Sequence, residues 1–427
     1  METAAQFLKR YPEEDDSDLA PFWRYLSAPA QDAGWKQLAQ RMVGGVRIRE
    51  YDLQSQVWQG IPWSHRLTIV LPPEWDGDPL AFLFVTGSFE GGMSPEALTL
   101  FAQSISAPVA ILYDVPNQPL FEGLSEDALV AYSFVQYLNT GDPTWPLLFP
   151  MVRSVLIAMQ SLSEILGSGL RFRYVVSGAS KRGWTTWLAG AADRRVAGIV
   201  PIVYNNLNIP AQMQRQVDSW DRHSDEISDY VESGLVDRIR TDEGRRVVEM
   251  VDPYSYRSLL EIPKLLVHGT NDRYWAQDAA SLYFEDVPPP KHTLYVPNAG
   301  HSLLDRAEAW YAAAALFDTV RDGSCLPEIE TAFSGHNWEC YMRTRSDATP
   351  IAARAWLAVS ESSDLRDSTW MPYPLVSEGD WLAFTTRIPR RGHLALFAEL
   401  DFERGERRYS LSSSLLIAPS IPQRVHK

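Results

Sequence analysis

Residues 175–184 read VVSGASKRGW, and this stretch decides the fold of the chain. The apolar run FRYVV at residues 172–176 predicts a buried strand, and a helical pattern continues from the serine to about residue 192. Ser180 therefore falls on a tight turn from strand to helix, which pushes its Oγ out of the sheet and aims a helix N-terminus at it. We interpret Ser180 as a nucleophile. The alternative is an ordinary strand–turn–helix connection.

The segment departs from the G-x-S-x-G pattern that is usual for such a turn. Gly178 occupies the first glycine position, but Arg182 stands at the second, and Gly183 follows one residue later. Arg182 would place a fixed cation beside the nucleophile, and such a cation could hold a substrate carboxylate. A salt bridge inside the fold is the alternative for this arginine.

Apolar runs flank this turn on both sides and alternate with helical patterns. Continuous runs of this kind are typical of strands that are covered on both faces. One predicted helix begins after Ser125, a good N-cap, with Glu126 and Asp127 in its first turn. The alternation predicts an α/β fold with a mostly parallel central sheet and functional loops at the carboxyl ends of its strands. The predicted strands cover residues 80–85, 108–113, 172–176, 196–204, 262–268 and 291–297.

Three other regions have a different character. Within the β-rich first 80 residues, residues 46–51 and 56–60 predict two paired strands. Residues 207–251 are charged and amphipathic, which predicts a helical lid insertion. Short β-like runs beyond residue 330 predict an all-β, sandwich-like domain. The predicted division is an N-terminal extension (1–44), an α/β-hydrolase domain (45–330) that includes the lid, and a C-terminal β domain (331–427).

Two further residues complete a catalytic pattern with Ser180. Asp272 lies on the loop after the strand at residues 262–268, and His301 lies on the loop after the next strand. A hydroxyl nucleophile needs a base with a pKa near neutrality, and that base needs an acid to fix its tautomer. The order Ser180, Asp272, His301 is the chain order of α/β-hydrolases, so we predict a catalytic triad.

The remaining site residues follow from the same strand-end loops. An oxyanion hole would combine the backbone N–H of Lys181 with that of Gly87 or Ser88. The alternative for the second loop is a plain glycine-containing turn. We expect the substrate pocket to be formed by residues on the other loops: Asn117, Gln118, Arg182, Tyr204, Asn205, Asn206, Arg273, Tyr274 and Trp275.

Composition limits the remaining functions. The 427 residues carry a net charge of −15, which opposes binding to nucleic acid or to an anionic membrane. No pair of histidines has metal-ligand spacing, and no phosphate-binding glycine loop is present, so we expect neither a metal nor a cofactor. We expect Cys325 and Cys340 to be free thiols. The composition does not fix the oligomeric state.

The N-terminal residues METAAQFLKRYPEEDDSD are polar and acidic, and no run approaches 18 apolar residues. We therefore expect no membrane span and a cytoplasmic location for the chain as given, or a secreted or periplasmic one if a leader is missing.

The stretch SGASKRGWTTWL at residues 177–188 resembles the PhoPQ-activated pathogenicity-related protein family, as do LLVHGTNDRYW at 265–275 and Asn117-Gln118-Pro119. The resemblance runs from about residue 45 to the end. It implies an α/β-hydrolase core with a C-terminal β domain. Members of that family are commonly secreted or membrane-associated, and their substrates are poorly defined.

The predicted function is that of a serine hydrolase acting through an acyl-enzyme on a small-molecule or peptide substrate. We expect an ester first and an amide or peptide second, because esters need the smaller reduction of the barrier. Two alternatives remain open: an acyltransferase or cyclase that uses the same triad, and a non-catalytic binding or signalling protein on a hydrolase scaffold.

Overall fold

The strands predicted around Ser180 belong to one large sheet. The computed structural model describes residues 4–10, 17–30, 32–89, 95–167, 171–303, 305–336 and 339–419. The strands of the first three quarters of the chain are β1 (Gly34–Val43), β2 (Val46–Trp58), β3 (Ile61–Leu71), β4 (Leu80–Val85), β5 (Val109–Leu112), β6 (Arg173–Ala179), β7 (Val196–Ile202), β8 (Lys264–Gly269) and β9 (Lys291–Val296).

The last quarter of the chain adds nine strands in the described residues. They are β10 (Ile329–His336), β11 (Glu339–Ser346), β12 (Ala352–Ser360), β13 (Met371–Pro374), β14 (Val376–Glu378), β15 (Trp381–Arg387), β16 (His393–Arg404), β17 (Arg407–Ser412) and β18 (Leu416–Pro419). Four of them form a separate sheet in the order β10-β11-β15-β14. The others extend the large sheet, because β17 pairs with β9 at Ser412 and Thr293.

The centre of the large sheet is parallel, and its order is β5-β4-β6-β7-β8-β9. Strands β1, β2 and β3 join it antiparallel at the β5 edge. Because parallel neighbours end at the same edge, the loops after β4, β6, β8 and β9 lie together, as the alternating pattern predicted. The protein is therefore a mixed α/β structure with a mostly parallel central sheet.

Ten α-helices occur in the described residues, and most of the longer ones cover the two faces of the sheet. They are α1 (Ala20–Ser27), α2 (Thr99–Ile105), α3 (Glu126–Thr140), α4 (Leu148–Leu166), α5 (Lys181–Ala192), α6 (Ile209–Trp220), α7 (Ser228–Glu232), α8 (Leu235–Arg238), α9 (Asp242–Val251) and α10 (Ala307–Asp322). Side chains alternate between the two cores along each strand: in β4, Leu83 packs with α3, α4 and α5, whereas Phe82 and Phe84 pack with α2 and α10.

Helix α4 is long and apolar enough to cross a membrane, by length and composition alone. In this fold, however, 78% of its most apolar window is buried inside the protein. Its apolar side chains, among them Val152, Val155 and Met159, pack in the core on one face of the sheet. The helix is therefore accounted for as a core helix.

The prediction of two paired strands at residues 46–51 and 56–60 is wrong. These residues form the single strand β2, which continues through an irregularity between Gln54 and Gln56. The reversal comes later, at Gln59 and Gly60, where φ is 51° and 75°. Two consecutive residues with positive φ match the right-handed twist of a hairpin, so β2 pairs with β3 instead.

Two regions bear on the predicted domain boundaries. Strand β1 lies within residues 1–44, so the large sheet begins before the predicted boundary at residue 45. Residues 207–251 contain the four helices α6 to α9, as the amphipathic pattern predicted. Cys325 is exposed and Cys340 is buried, and both are free thiols.

Candidate active site

Ser180 occupies a strained turn between β6 and α5. Its φ of 58° and ψ of −127° lie outside the backbone regions that residues other than glycine normally adopt. The turn is held on both sides, because the Ser180 N–H donates to the Ile202 carbonyl at 2.9 Å and the Ser180 carbonyl accepts from Trp184 at 3.0 Å. Strain of this kind persists only where the surroundings fix it, and it often marks a functional residue.

Close packing explains why the second glycine of the motif stands at residue 183 and not at residue 182. A Cβ on Gly183 would lie 2.9 Å from the Tyr204 Cβ and 3.0 Å from the Ile202 carbonyl oxygen. Helix α5 therefore approaches the end of β7 closely at residue 183 and not at residue 182. This leaves Arg182 free to carry a side chain, which explains the departure from G-x-S-x-G.

His301 and Asp272 form a hydrogen-bonded pair at the same edge of the sheet. The His301 Nδ1–H donates to both carboxylate oxygens of Asp272, at 3.0 and 2.8 Å. The backbone N–H of Tyr274 donates to the same carboxylate at 2.9 Å, and the Tyr274 ring stacks on the imidazole with centroids 4.0 Å apart. The buried Nε2 of His301 has no hydrogen-bond partner among the described residues. This geometry favours the tautomer with the hydrogen on Nδ1, which leaves the Nε2 lone pair available.

The loop after β4 carries the second predicted oxyanion donor. The Gly87 carbonyl accepts from the Asp114 N–H at 2.6 Å, and the Phe89 N–H donates to the Asp114 carboxylate at 3.1 Å. Lys181 begins α5, so its N–H has no partner within the helix. A Cβ on Gly87 would lie 2.7 Å from Nη2 of Arg182, so the guanidinium lies directly behind this loop.

Arg182 is bonded inside the fold and does not face the pocket. Its Nε donates to the Val115 carbonyl at 2.5 Å, and its two terminal nitrogens donate to Glu126 at 2.7 and 2.8 Å. Only 7% of the residue is exposed. Of the two interpretations of Arg182, the structure shows the salt bridge inside the fold, and the substrate-binding one is corrected, because Glu126 already matches the charge of Arg182.

A charged cluster joins α5 to α3. Lys181 Nζ contacts Glu126 at 2.7 Å and Asp127 at 3.3 Å. Burial alone would raise the pKa of Glu126, but hydrogen bonds and charge from Arg182 and Lys181 hold it well below its usual range. Ser125, the predicted N-cap of α3, makes no side-chain capping bond, and the Glu126 N–H donates to the side-chain oxygen of Gln118 at 2.8 Å instead.

Asp127 extends the cluster to two tyrosines that the sequence patterns did not connect. Its carboxylate accepts from the Tyr230 hydroxyl at 3.0 Å and from the Tyr274 hydroxyl at 3.4 Å. Burial, and then the negative charge of Asp127, raise the pKa of both tyrosines. The acidic first turn of α3 was visible in the sequence, but its contacts with residues 230 and 274 arise only from the folded chain.

A pocket opens beside Ser180, and we call it the apolar pocket. Tyr204, Asn206, Tyr274 and Trp275, all predicted to bind substrate, line it. The larger part of its wall, which the sequence did not resolve residue by residue, comes from α3, α5 and residues 207–251. These wall residues are Phe134, Leu138, Trp184, Ile209, Met213, Ile227, Tyr230, Leu235, Val236, Ile239, Gly244, Val247, Val248 and Val251.

The other residues predicted to bind substrate lie outside this wall. Asn117 bonds the backbone of β3, and Gln118 bonds Glu126. Asn205 accepts from the Tyr283 hydroxyl at 2.7 Å, and Arg273 forms an exposed salt bridge with Asp367. The structure therefore does not place these side chains in the wall of the apolar pocket, and their contact with a substrate stays a prediction.

The strand order and the turn at Ser180 define an α/β-hydrolase type of fold. Two solved enzymes share it. The acetyl xylan esterase from Paenibacillus sp. R4 is 14% identical, with a TM-score of 0.53 over 75% of this chain and 98% of that one. Acetyl xylan esterase 1 from Thermoanaerobacterium sp. JW/SL YS485 is 14% identical, with a TM-score of 0.52 over 74% and 97%. At this identity the likeness concerns the fold alone.

The chain belongs to the PhoPQ-activated pathogenicity-related protein family, whose sequence pattern matches residues 23–367. This confirms the resemblance based on the segment around Ser180. Autocrine proliferation repressor protein A of Dictyostelium discoideum is 31% identical over 274 residues, which cover 59% of this chain and 55% of the relative. The chain thus matches about half the length of that relative.

Proposed function

We propose that this protein is a serine hydrolase that cleaves esters. Ser180 is the nucleophile, His301 the general base and acid, and Asp272 the residue that orients His301. One observation carries the proposal: a serine with φ of 58° on a strand-to-helix turn shares a sheet edge with a His–Asp pair whose Nε2 is unpaired among the described residues. The esterase neighbours share the fold and make ester hydrolysis the first choice.

In this mechanism, Ser180 Oγ forms a bond to the ester carbonyl carbon while its proton passes to His301 Nε2. The N–H groups of Lys181 and Gly87 or Ser88 stabilise the oxyanion. The carbonyl re-forms as the alkoxide leaves, and the alkoxide takes the proton from His301. Water then attacks the acyl-enzyme, gives a proton to His301, and releases the acid as that proton returns to Ser180.

We propose further that residues 207–251 serve as a lid. Helices α6 to α9 supply most of the wall of the apolar pocket and bring Tyr230 to Asp127 beside the nucleophile helix. A covered site excludes bulk water and strengthens the electrostatic effects of the oxyanion donors.

The proposal is tested by labelling with a fluorophosphonate probe and by hydrolysis of p-nitrophenyl esters. We expect wild type to be labelled, and both activities to fall at least about 1,000-fold in Ser180→Ala and His301→Ala. Ser177→Ala is the matched control, since this buried serine lies on the same strand and bonds the Val200 carbonyl. Equal labelling of all four proteins would refute the assignment.

A second function is favoured by the name of the Dictyostelium relative, an autocrine proliferation repressor. In that case the protein would act as a growth-repressing signal, with or without hydrolysis. Purified wild type and Ser180→Ala, added to the cells that produce the protein, separate the two. Equal repression of growth by both proteins would favour signalling without catalysis.

A further inference from the structure

The apolar pocket beside Ser180 is built from three parts of the chain. Phe134 comes from α3, Trp184 from the nucleophile helix, and Leu235 and Val248 from residues 207–251. Each of these four side chains is at most 8% exposed in the intact fold. Such a wall gives favourable binding to a hydrocarbon group, because that group leaves water and packs against apolar side chains.

The charged residues of the pocket are bonded to one another and to two tyrosines, whereas the Tyr204 hydroxyl and Oδ1 of Asn206 have no hydrogen-bond partner among the described residues. The Asp127 carboxylate accepts hydrogen bonds from Tyr230 and Tyr274 and forms a salt bridge with Lys181. Lys181 also contacts Glu126 at 2.7 Å. A charged substrate group entering the pocket would have to displace one of these partners, whereas an uncharged apolar group would leave all of them in place.

The position of His301 decides which part of an ester enters the pocket. The leaving alcohol must accept a proton from His301 Nε2, so it lies on the histidine side of Ser180. The wall of the apolar pocket includes Ser180, Lys181 and Trp184 but, among the described residues, not His301. The acyl part, which stays bonded to Ser180 in the acyl-enzyme, therefore takes the apolar pocket.

We propose that the substrates are esters whose acyl part is an extended apolar chain longer than acetyl, bound in the apolar pocket under helices α8 and α9. The proposal rests on the proposed function and adds the chemical class of the acyl group. Each buried methylene gives roughly a three- to fourfold gain in binding.

The test is the hydrolysis of p-nitrophenyl acetate, butyrate, hexanoate and octanoate, in which only the acyl chain changes. We expect kcat/KM to rise at least about 30-fold from acetate to octanoate in wild type. A profile that is flat, or that is highest for acetate, would overturn the proposal.

Two lid substitutions and a control locate the effect. Val248→Phe narrows the pocket, so we expect the ratio of kcat/KM for octanoate to kcat/KM for acetate to fall about tenfold or more. Leu235→Ala widens it and should move the optimum to longer chains. Val231→Phe is the control, because Val231 is 38% exposed on α7 and lies outside the wall. The same profile in Val248→Phe and Val231→Phe would also overturn the proposal.

Binding to the Ser180→Ala variant separates this inference from the proposed function. Calorimetry measures p-nitrophenyl acetate and octanoate binding without turnover. We expect Ser180→Ala to bind the octanoate ester more tightly than the acetate ester, and the double variant with Val248→Phe to lose this difference. That result would support binding of the acyl chain in the apolar pocket even if wild type hydrolyses no ester. Equal binding of both esters refutes it, whether or not Ser180 is the nucleophile.

Discussion

The turn at Ser180 and the helical insertion at residues 207–251 meet at one pocket, but they are held by different contacts. The turn is fixed by backbone groups of neighbouring strands, such as the bond from Ser180 to the Ile202 carbonyl. The insertion is fastened where it leaves and rejoins the sheet, where Asp252 accepts from the N–H groups of Asn208 and Ile209 at 3.3 and 2.7 Å. Between these points it faces the pocket with apolar side chains and bonds the loop after β8 through side chains, such as Ser224 to the Arg273 carbonyl at 2.7 Å.

This difference separates the chemistry from the choice of substrate. Groups at strand ends have positions set by the sheet, so they can hold a reacting geometry within the narrow limits that catalysis needs. The apolar wall side chains of the insertion make no hydrogen bond to those groups, so we expect a change in their size to affect the pocket more than the reacting geometry. Substitutions in the first region should therefore change kcat, and substitutions in the second should change substrate preference or stability.

The largest effect should come from Asp272→Asn. An asparagine cannot hold His301 in the tautomer that leaves Nε2 as a base, and it loses the charge that stabilises the imidazolium. We expect kcat/KM for ester hydrolysis to fall about 1,000- to 10,000-fold, measured with the p-nitrophenyl series. Asp278→Asn is the control, since Asp278 lies six residues later and forms a salt bridge with Arg215 of the insertion. A comparable loss in both variants would contradict the role of Asp272.

The parts of the site that lie at strand ends could be predicted from the sequence. Each local signal was short and followed an apolar run: the small residues around Ser180, and the polar residues at Asp272 and His301. Parallel strands end at one edge of the sheet, so these loops lie together. This could be predicted without knowing any side-chain contact. Pattern reasoning failed at residues 56–60, where QVWQG was assigned to a second strand although it holds the end of β2 and the hairpin turn at Gln59 and Gly60.

The next largest effect should come from Arg182→Lys, which tests the support behind the oxyanion loop. A lysine can reach Glu126, but it cannot also donate to the Val115 carbonyl. It also lacks the planar guanidinium that packs against Gly87. If Arg182 is a positioning residue for this loop, kcat falls about 100-fold while KM changes little, since the oxyanion forms only in the transition state.

Arg195→Lys provides the matched control for this variant. Arg195 is equally buried, follows the other end of α5, and pairs with Asp193 at 2.6 Å. Both variants lose a buried guanidinium pair and should lose similar stability in urea unfolding. An equal fall of kcat in both would assign Arg182 a structural role only.

The role of Arg182 shows why the rest of the site could not be predicted. Its position beside the nucleophile suggested a substrate contact, but Glu126 lies 56 residues away in sequence and reaches it only through the packing of α3 on α5. Asp127 likewise meets Tyr230 and Tyr274 across large separations. No periodic pattern encodes such pairs, because each residue alone also fits an ordinary exposed helix or loop position.

The smallest effect concerns the fastening of the insertion at Asp252. Burial raises the pKa of this carboxyl to about 6, despite the N–H groups of Asn208, Ile209 and Tyr254 that favour the charged form. A carboxyl in the unfolded chain titrates near 4, so between these values the folded state binds more protons than the unfolded state. The free energy of unfolding therefore decreases as the pH rises, and the full cost of the buried charge is present above about pH 7.

Asp252→Asn removes this titration, so the comparison isolates it from the other acids in the chain. We expect wild type to lose about 2 kcal/mol relative to the variant between pH 4.5 and 7.5, measured by urea unfolding at several pH values. Asparagine keeps one acceptor oxygen, so the variant is less stable throughout, and only the change of the difference with pH is diagnostic. If the difference in free energy of unfolding between the two proteins stays constant over this range, Asp252 has the same pKa in the folded and unfolded states. The hydrogen bonds that Asp252 accepts would then offset the cost of burying its charge.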